Sequence, residues 1–209
     1  MAKLSYTQFL WKSANAHNVH SPFVFSITGK AFAARNIHFP PFNKEKKSII
    51  NQKAFNLLCR IVFNLKREKL FVTGEDAAAA TEIIRSAGEH LNLKLWFFSP
   101  LAPIPGKIDM AYIAPGEDEE LYPLIEQLLP NIGENSLCAI GNIHSSPERE
   151  KAWEAIKKDP RISVTIDTYH LGLVYFRHGQ AKEHFTIRTT TSKLLDTALG
   201  AKKLWGLLN

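Results

Sequence analysis

Gly74, Glu75 and Asp76 stand between an apolar run, Leu70-Phe-Val-Thr73, and a row of alanines that starts at Ala77. One glycine and two carboxylates at the start of a helix can hold a ribose, a positively charged group or a metal. The open N–H groups of the helix's first turn offer a further place for a ligand. The same residues also suit a plainer duty, capping the helix and complementing its dipole. Asn142 and His144 follow another apolar run, Leu137-Cys-Ala-Ile140. An imidazole, with an ordinary pKa of about 6.5, can act there as a general base. The alternative for His144 is a histidine exposed in a loop. His17 and His20 are spaced to share a helix face, yet the sequence places no third ligand, so no metal site is assigned. Asp109 stands where a strand would begin rather than end, which argues against a ligand role. Asp167, Tyr169 and His170 fall at the corner of a hairpin, where turn duty is the default.

The elements that would position these groups are legible from periodicity. Residues 4–16 suggest a short helix. Ser21 and Pro22 then mark a helix start, as N-cap and first helical residue, for a helix to about residue 35. Pro40 and Pro41 break the pattern and make a linker. A second helix is predicted over 46–66, where Ile50, Ala54, Leu57, Leu58, Ile61 and Val62 recur at helical spacing. From residue 70 the pattern becomes strand and helix in alternation. Strands are predicted at 70–73, 93–98, 108–114 and 137–142, with helices at 76–91 and 117–129. Four acidic residues, Glu117 to Glu120, crowd the first turn of the latter. A helix capped by Ser145 or Ser146, with Pro147 in its first turn, follows. Residues 162–169 and 171–177 are joined too tightly for a helix and predict an antiparallel hairpin. Residues 184–188 suggest an edge strand or an extension, and 192–208 a final amphipathic helix. Such an order predicts an α/β protein with a doubly wound, mostly parallel sheet and a C-terminal antiparallel hairpin. Ligands of such sheets bind beyond the carboxyl ends of the strands. The residues to inspect are therefore Gly74–Asp76, Ser99, Ala114 and the 141–144 segment.

Bulk properties narrow the function classes. The chain has 209 residues, 45% hydrophobic and 22% charged, which excludes global disorder. Cys59 and Cys138 sit in apolar runs, so neither a disulfide framework nor a zinc site is expected. No leader and no transmembrane run is visible, so the expectation is a soluble cytoplasmic protein without membrane contact. Charge is unevenly spread: residues 1–70 hold 12 Lys/Arg against 2 Asp/Glu, whereas 71–209 hold 14 against 18. The basic stretch 44–69, with Lys44, Lys46, Lys47, Lys53, Arg60, Lys66 and Arg67, is either a solvated face or a surface for an anionic partner such as nucleic acid. Phe55 and Phe63 of that stretch read as core residues rather than base-stacking ones.

Several stretches carry a resemblance. They are His17-Asn-Val-His-Ser-Pro-Phe-Val-Phe25, Ala152-Trp-Glu-Ala-Ile156, Asp159-Pro160, Thr165-Ile-Asp167, Gly172-Leu-Val-Tyr-Phe176 and His184-Phe-Thr-Ile-Arg188. On these the chain resembles the class I S-adenosylmethionine-dependent methyltransferases, and in particular a bacterial group with a His-x-x-His-Ser-Pro-Phe motif near the N-terminus. The resemblance implies a Rossmann-like methyltransferase fold over 68–190, with a helical extension over 1–67 and a closing helix over 191–209. It also implies S-adenosylmethionine as cofactor, with Gly74, Glu75, Asp76, Ser99 and Ala114 lining its place. Asn142 and His144 would then face the methyl acceptor.

This sequence departs from that pattern at four points. The family's glycine-rich acidic turn keeps only Gly74, with Val72 where an acidic residue is expected. The second strand runs into Ser99-Pro100 without a carboxylate for the ribose. Only residues 99–107 separate it from the next strand, too few for the family's further helix–strand–helix. The fourth strand ends in Gly141-Asn142 rather than paired aspartates. The reading is a degenerate methyltransferase-like protein, a pseudoenzyme with weakened or lost cofactor binding and no identified acceptor. The alternatives are an active methyltransferase with an unusual pocket, or a non-enzymatic module that binds an anionic partner through its basic helices. Trp205 in the final helix suggests a homodimer contact.

Overall fold

The computed structural model describes residues 3–15, 19–33, 51–101, 103–116 and 120–189. Helices are α1 (Tyr6–Lys12), α2 (Pro22–Ala33), α3 (Gln52–Asn64), α4 (Ala77–His90), α5 (Leu121–Leu128) and α6 (Pro147–Lys158). Strands are β1 (Lys69–Thr73), β2 (Trp96–Phe98), β3 (Met110–Ile113), β4 (Leu137–Gly141), β5 (Val164–Asp167), β6 (Leu171–Tyr175) and β7 (Glu183–Thr186). They form one sheet in the order β2-β1-β3-β4-β6-β5-β7. All neighbours are parallel except β6, which runs against β4 and β5. This is the Rossmann-like sheet with a C-terminal antiparallel hairpin that the sequence predicts. The chain runs from β1 out to β2, then back across β1 to β3. Strand order therefore reverses at β1, and the exits of β1 and β3 flank the switch point. Among the described residues, nothing between β2 and β3 is helix or strand, which leaves β2 at the sheet's edge.

Side chains alternate between two layers, as the pleat requires. Leu70, Val72, Met110, Tyr112, Leu173 and Tyr175 face α2, α3 and α4. Phe71, Ala111, Ile113, Cys138, Val174 and Phe176 face α5 and α6. Trp153 of α6 is fully buried against β6, and only Gly172 allows this. A Cβ there would lie 2.7 Å from the indole. Helix starts follow their caps. Ser5 and Gln8 form a capping box for α1, the Asn51 side chain accepts from Lys53 N, and the Ser146 side chain accepts from Arg149 N. Phe55 is buried and Phe63 packs on the same core, in line with their helical spacing.

Several boundaries differ from the periodicity. The strand predicted over 93–98 is only β2, because Asn92 turns left-handed (φ 53°) and Leu93 N bonds back to Gly88 O to close α4. α5 begins at Leu121 rather than at 117, and residues 117–119 lie outside the described residues. β5 ends at Asp167, since Thr168 and left-handed Tyr169 (φ 72°) make the hairpin corner. The linker and start of the predicted 46–66 helix, the final helix with Trp205, and His17 also lie outside the described residues. The chain leaving α1 runs beside β7, where Ala14 N donates to Thr186 O (2.8 Å) and Arg188 N to Ala14 O (3.1 Å). That pairing carries α1 onto the corner of the β5–β6 hairpin.

Candidate functional site

Two exits of the sheet hold the residues singled out by sequence. At the first, β1 and β3 end side by side, with Thr73 opposite Ile113. Gly74 has φ +106°, and a Cβ on it would overlap the carbonyl of Ala114, so only glycine fits this crossing. Ala114 N donates to Thr73 O (2.8 Å), and Asp76 N donates to Ala114 O (3.0 Å). The turn is thus laced to the end of β3. Asp76 occupies the N-cap position of α4, yet its side chain makes no cap bond. Its backbone (φ −89°, ψ 11°) is not the extended conformation from which a side chain reaches back to the first turn, which corrects the capping expectation. The Glu75 carboxylate lies directly over Gly116, where any Cβ would collide with it. Buried Arg149 donates to the Gly116 carbonyl. Gly74, Glu75, Asp76 and Ala114 therefore lie together at this exit. Ser99 is exposed at the end of β2, one strand away, with its hydroxyl accepting from Leu101 N (3.4 Å).

At the second exit, β4 leads into Asn142, left-handed at φ 55° with its N–H on His170 O (3.1 Å). His144 follows, and it is buried rather than exposed in a loop. Nδ1 lies 2.6 Å from Glu150 Oε1 and Nε2 lies 2.8 Å from Asp167 Oδ2. Burial lowers the imidazole's pKa, but the hydrogen bonds and charges of Asp167 and Glu150 outweigh that and raise it. With a carboxylate at each ring nitrogen, both nitrogens are engaged in hydrogen bonds. His144 is thus clamped between two carboxylates at the exit of β4 rather than turned to open space. The cluster is sealed by the N-terminal segment. Leu4 N donates to Glu150 Oε1 (2.7 Å), and the Tyr169 hydroxyl donates to Leu4 O (3.4 Å). The Tyr169 ring stacks on His144 at 5.3 Å, and Phe9 of α1 lies 6.5 Å from it. His170, beside this cluster, has its pKa lowered by burial and by the charges of Lys53 and His144.

Sequence reasoning missed Glu150, the part Asp167 plays beyond the turn, and the seal by Leu4. One signal was present: Glu150 stands in the first turn of the Ser146-capped helix, so its side chain can face back to the loop holding His144. Asp109 is structural, as its place at the strand's entry argued. Its Oδ2 accepts from Glu68 N (3.0 Å) and Lys69 N (2.8 Å). His20 is exposed, and among the described residues no group of three or more His, Cys, Asp or Glu side chains could hold a metal. Burial pushes the Cys138 thiol up to about 12. No described helix is long and apolar enough to cross a membrane. A groove of about 800 Å³ opens between the starts of α5 and α6, lined by Glu120, Tyr122, Ser145, Glu148, Arg149 and Lys151 among others.

No family model and no curated protein matches the chain. Among solved structures it is similar to an O-methyltransferase from Bacillus cereus in complex with SAH, at 14% identity and a TM-score of 0.40, covering 66% of this chain and 84% of that one. It is also similar to a putative class I S-adenosylmethionine-dependent methyltransferase from Listeria monocytogenes, at 14% identity and a TM-score of 0.42. That match covers 74% of this chain and 60% of the Listeria chain.

Proposed function

We propose that this chain keeps a methyltransferase-like architecture without the cofactor's seat, and works by binding rather than by methyl transfer. One observation carries the reading: the β1 turn is laced to β3, with Asp76 N–H engaged by Ala114 O and the Glu75 carboxylate over Gly116. A nucleoside cofactor at a switch point needs close backbone approach and open N–H groups at the helix start. It also needs an acceptor at the end of β2 for its ribose hydroxyls. Here the approach is filled by Glu75, one helix-start N–H is already bonded, and Ser99 offers a single hydroxyl in place of a carboxylate. The residues present do not fit S-adenosylmethionine. His144 adds support, because carboxylates engage both of its ring nitrogens under Leu4, which leaves neither turned to a methyl acceptor.

The test is ligand-dependent thermal unfolding of the full chain with S-adenosylhomocysteine. A ligand that binds only the native state raises the melting temperature by mass action. The expected result is no shift at millimolar ligand. A dose-dependent rise, together with methyl transfer from labelled S-adenosylmethionine, would restore the active-enzyme alternative.

A further inference from the structure

At the opposite end of the sheet, under α2 and α3, buried polar atoms stand without partners. They are Asn64 Nδ2, Arg67 Nε, Tyr175 Oη and Arg177 Nε. Tyr175 ends β6 opposite Leu137 and Val164, the first residues of β4 and β5, so this is the entry side of the parallel strands. Its side chain is only 1% exposed. The pleat puts Arg177 on the same face two residues on. Phe23 of α2 joins the two: its ring meets Tyr175 edge-on at 5.0 Å, and the Arg177 guanidinium lies 4.1 Å from its centre. Asn64 and Arg67 come from the end of α3 and the turn into β1. Burial pushes the Tyr175 hydroxyl's pKa up, and the charges of Arg67 and Arg177 both oppose that shift. Among the described residues, neither guanidinium pairs with a carboxylate.

Buried donors without acceptors are rare and costly, and unpaired cations beside them add to the cost. A single ligand removes every part of that cost if it is an anion with several acceptor oxygens. We propose that Arg177 and Tyr175, with Arg67, form a binding site for a small oxyanion, a phosphate monoester or a carboxylate. Guanidinium forks match both groups, the tyrosine hydroxyl supplies a further donor, and the Phe23 ring walls one side. The site is independent of the cofactor reading, since it lies at the other end of the strands. It gives the basic N-terminal third a specific anion to hold through Arg67.

The experiment uses the full chain and two probes, inorganic phosphate and acetate, each against chloride at equal ionic strength. Thermal unfolding should rise by about 2–4 °C with the favoured probe near saturation. A response to phosphate alone identifies a phosphate group, and one to acetate alone a carboxylate. Titration calorimetry should show affinity reduced about tenfold or more by Arg67→Gln or Arg177→Gln, and less by Tyr175→Phe. Tyr175→Phe removes only a hydroxyl, so it and Arg177→Gln serve if Arg67→Gln does not fold. Absence of response to both probes overturns the site. So does a response that survives Arg177→Gln and Tyr175→Phe together. If Tyr175→Phe gains stability and leaves the anion response unchanged, the hydroxyl faces only a water-filled gap and the assignment fails.

Discussion

The two exits of the sheet occupy equivalent places and are closed by different means. At β1 and β3 the closure is main chain on main chain: Thr73, Gly74, Asp76 and Ala114 lace together, with one carboxylate laid over Gly116. At β4 and β5 the closure is charge on charge, with His144 between Glu150 and Asp167 under Leu4 and Phe9 of the N-terminal segment and Tyr169 of the hairpin corner. Backbone lacing tolerates little change in shape and is indifferent to protonation. A buried ion triad tolerates little change in charge, and its strength follows pH. The difference also separates two routes by which a ligand site at a strand end can be closed: filling from within the sheet, and covering by a segment brought from elsewhere.

The largest effect is expected at the charged exit. His144→Ala leaves Glu150 and Asp167 buried together without their cation. Breaking a buried ion pair from one side costs about 3–5 kcal/mol, which urea unfolding would measure. The same residue predicts the pH dependence. The folded-state pKa of His144 is raised. Its contribution is therefore complete below the unfolded value of about 6.5 and is lost as pH rises through the folded pKa. His170 and His184, whose pKa values are lowered, contribute with the opposite sign, losing stability as pH falls. The stability difference between wild type and His144→Gln isolates the clamp, and it should shrink as pH is raised above neutrality. A difference that stays flat from pH 6 to 9 would mean the triad is not held as an ion cluster.

At the laced exit the corresponding break is Gly74→Ala. The φ of +106° alone makes a side chain cost about 1–3 kcal/mol, and the overlap with the Ala114 carbonyl adds to it. Unlike His144→Gln, this loss should be the same at every pH in that range. If it varies with pH as the His144 loss does, the two exits are coupled and the contrast between them fails.

How much of each exit was legible follows from the range of its contacts. The strands, the hairpin and Gly74 were written in local pattern: alternating apolar runs, two of them joined too tightly for a helix, and one glycine at the end of a strand. The lacing was legible in part, because a parallel neighbour to β1 brings Ala114 level with Gly74. Asp76 misled, since its type suits a cap and only its dihedrals show that it cannot reach one. The clamp was hidden because its members come from three separate places. Asp167 lies 23 residues beyond His144, and Leu4 reaches Glu150 from 146 residues away. No periodicity records such a pairing. Arg177 and Tyr175 share a face by alternation, but their joining through Phe23 depends on how α2 sits over β6, which pattern alone does not give.

The smallest change tests the comparison most directly. Glu75→Ala removes the carboxylate that lies over Gly116 and leaves the lacing bonds, all of them main chain, in place. A surface-type truncation of this kind shifts stability by about 0.5 kcal/mol or less, so the fold should be unchanged by circular dichroism and melting temperature. Its value lies in the ligand response. If Glu75 alone closes the exit, the variant should gain a thermal shift with S-adenosylhomocysteine that the wild type lacks. Closure by lacing, with Asp76 N–H engaged and Ser99 in place of an acidic ribose partner, predicts no gain. The expected outcome is the second, because removing one side chain neither frees the Asp76 N–H nor supplies a carboxylate at the end of β2. A gained response would place the whole loss of the cofactor's seat on one residue, and the laced exit would then be closed, like the charged one, by a removable cover.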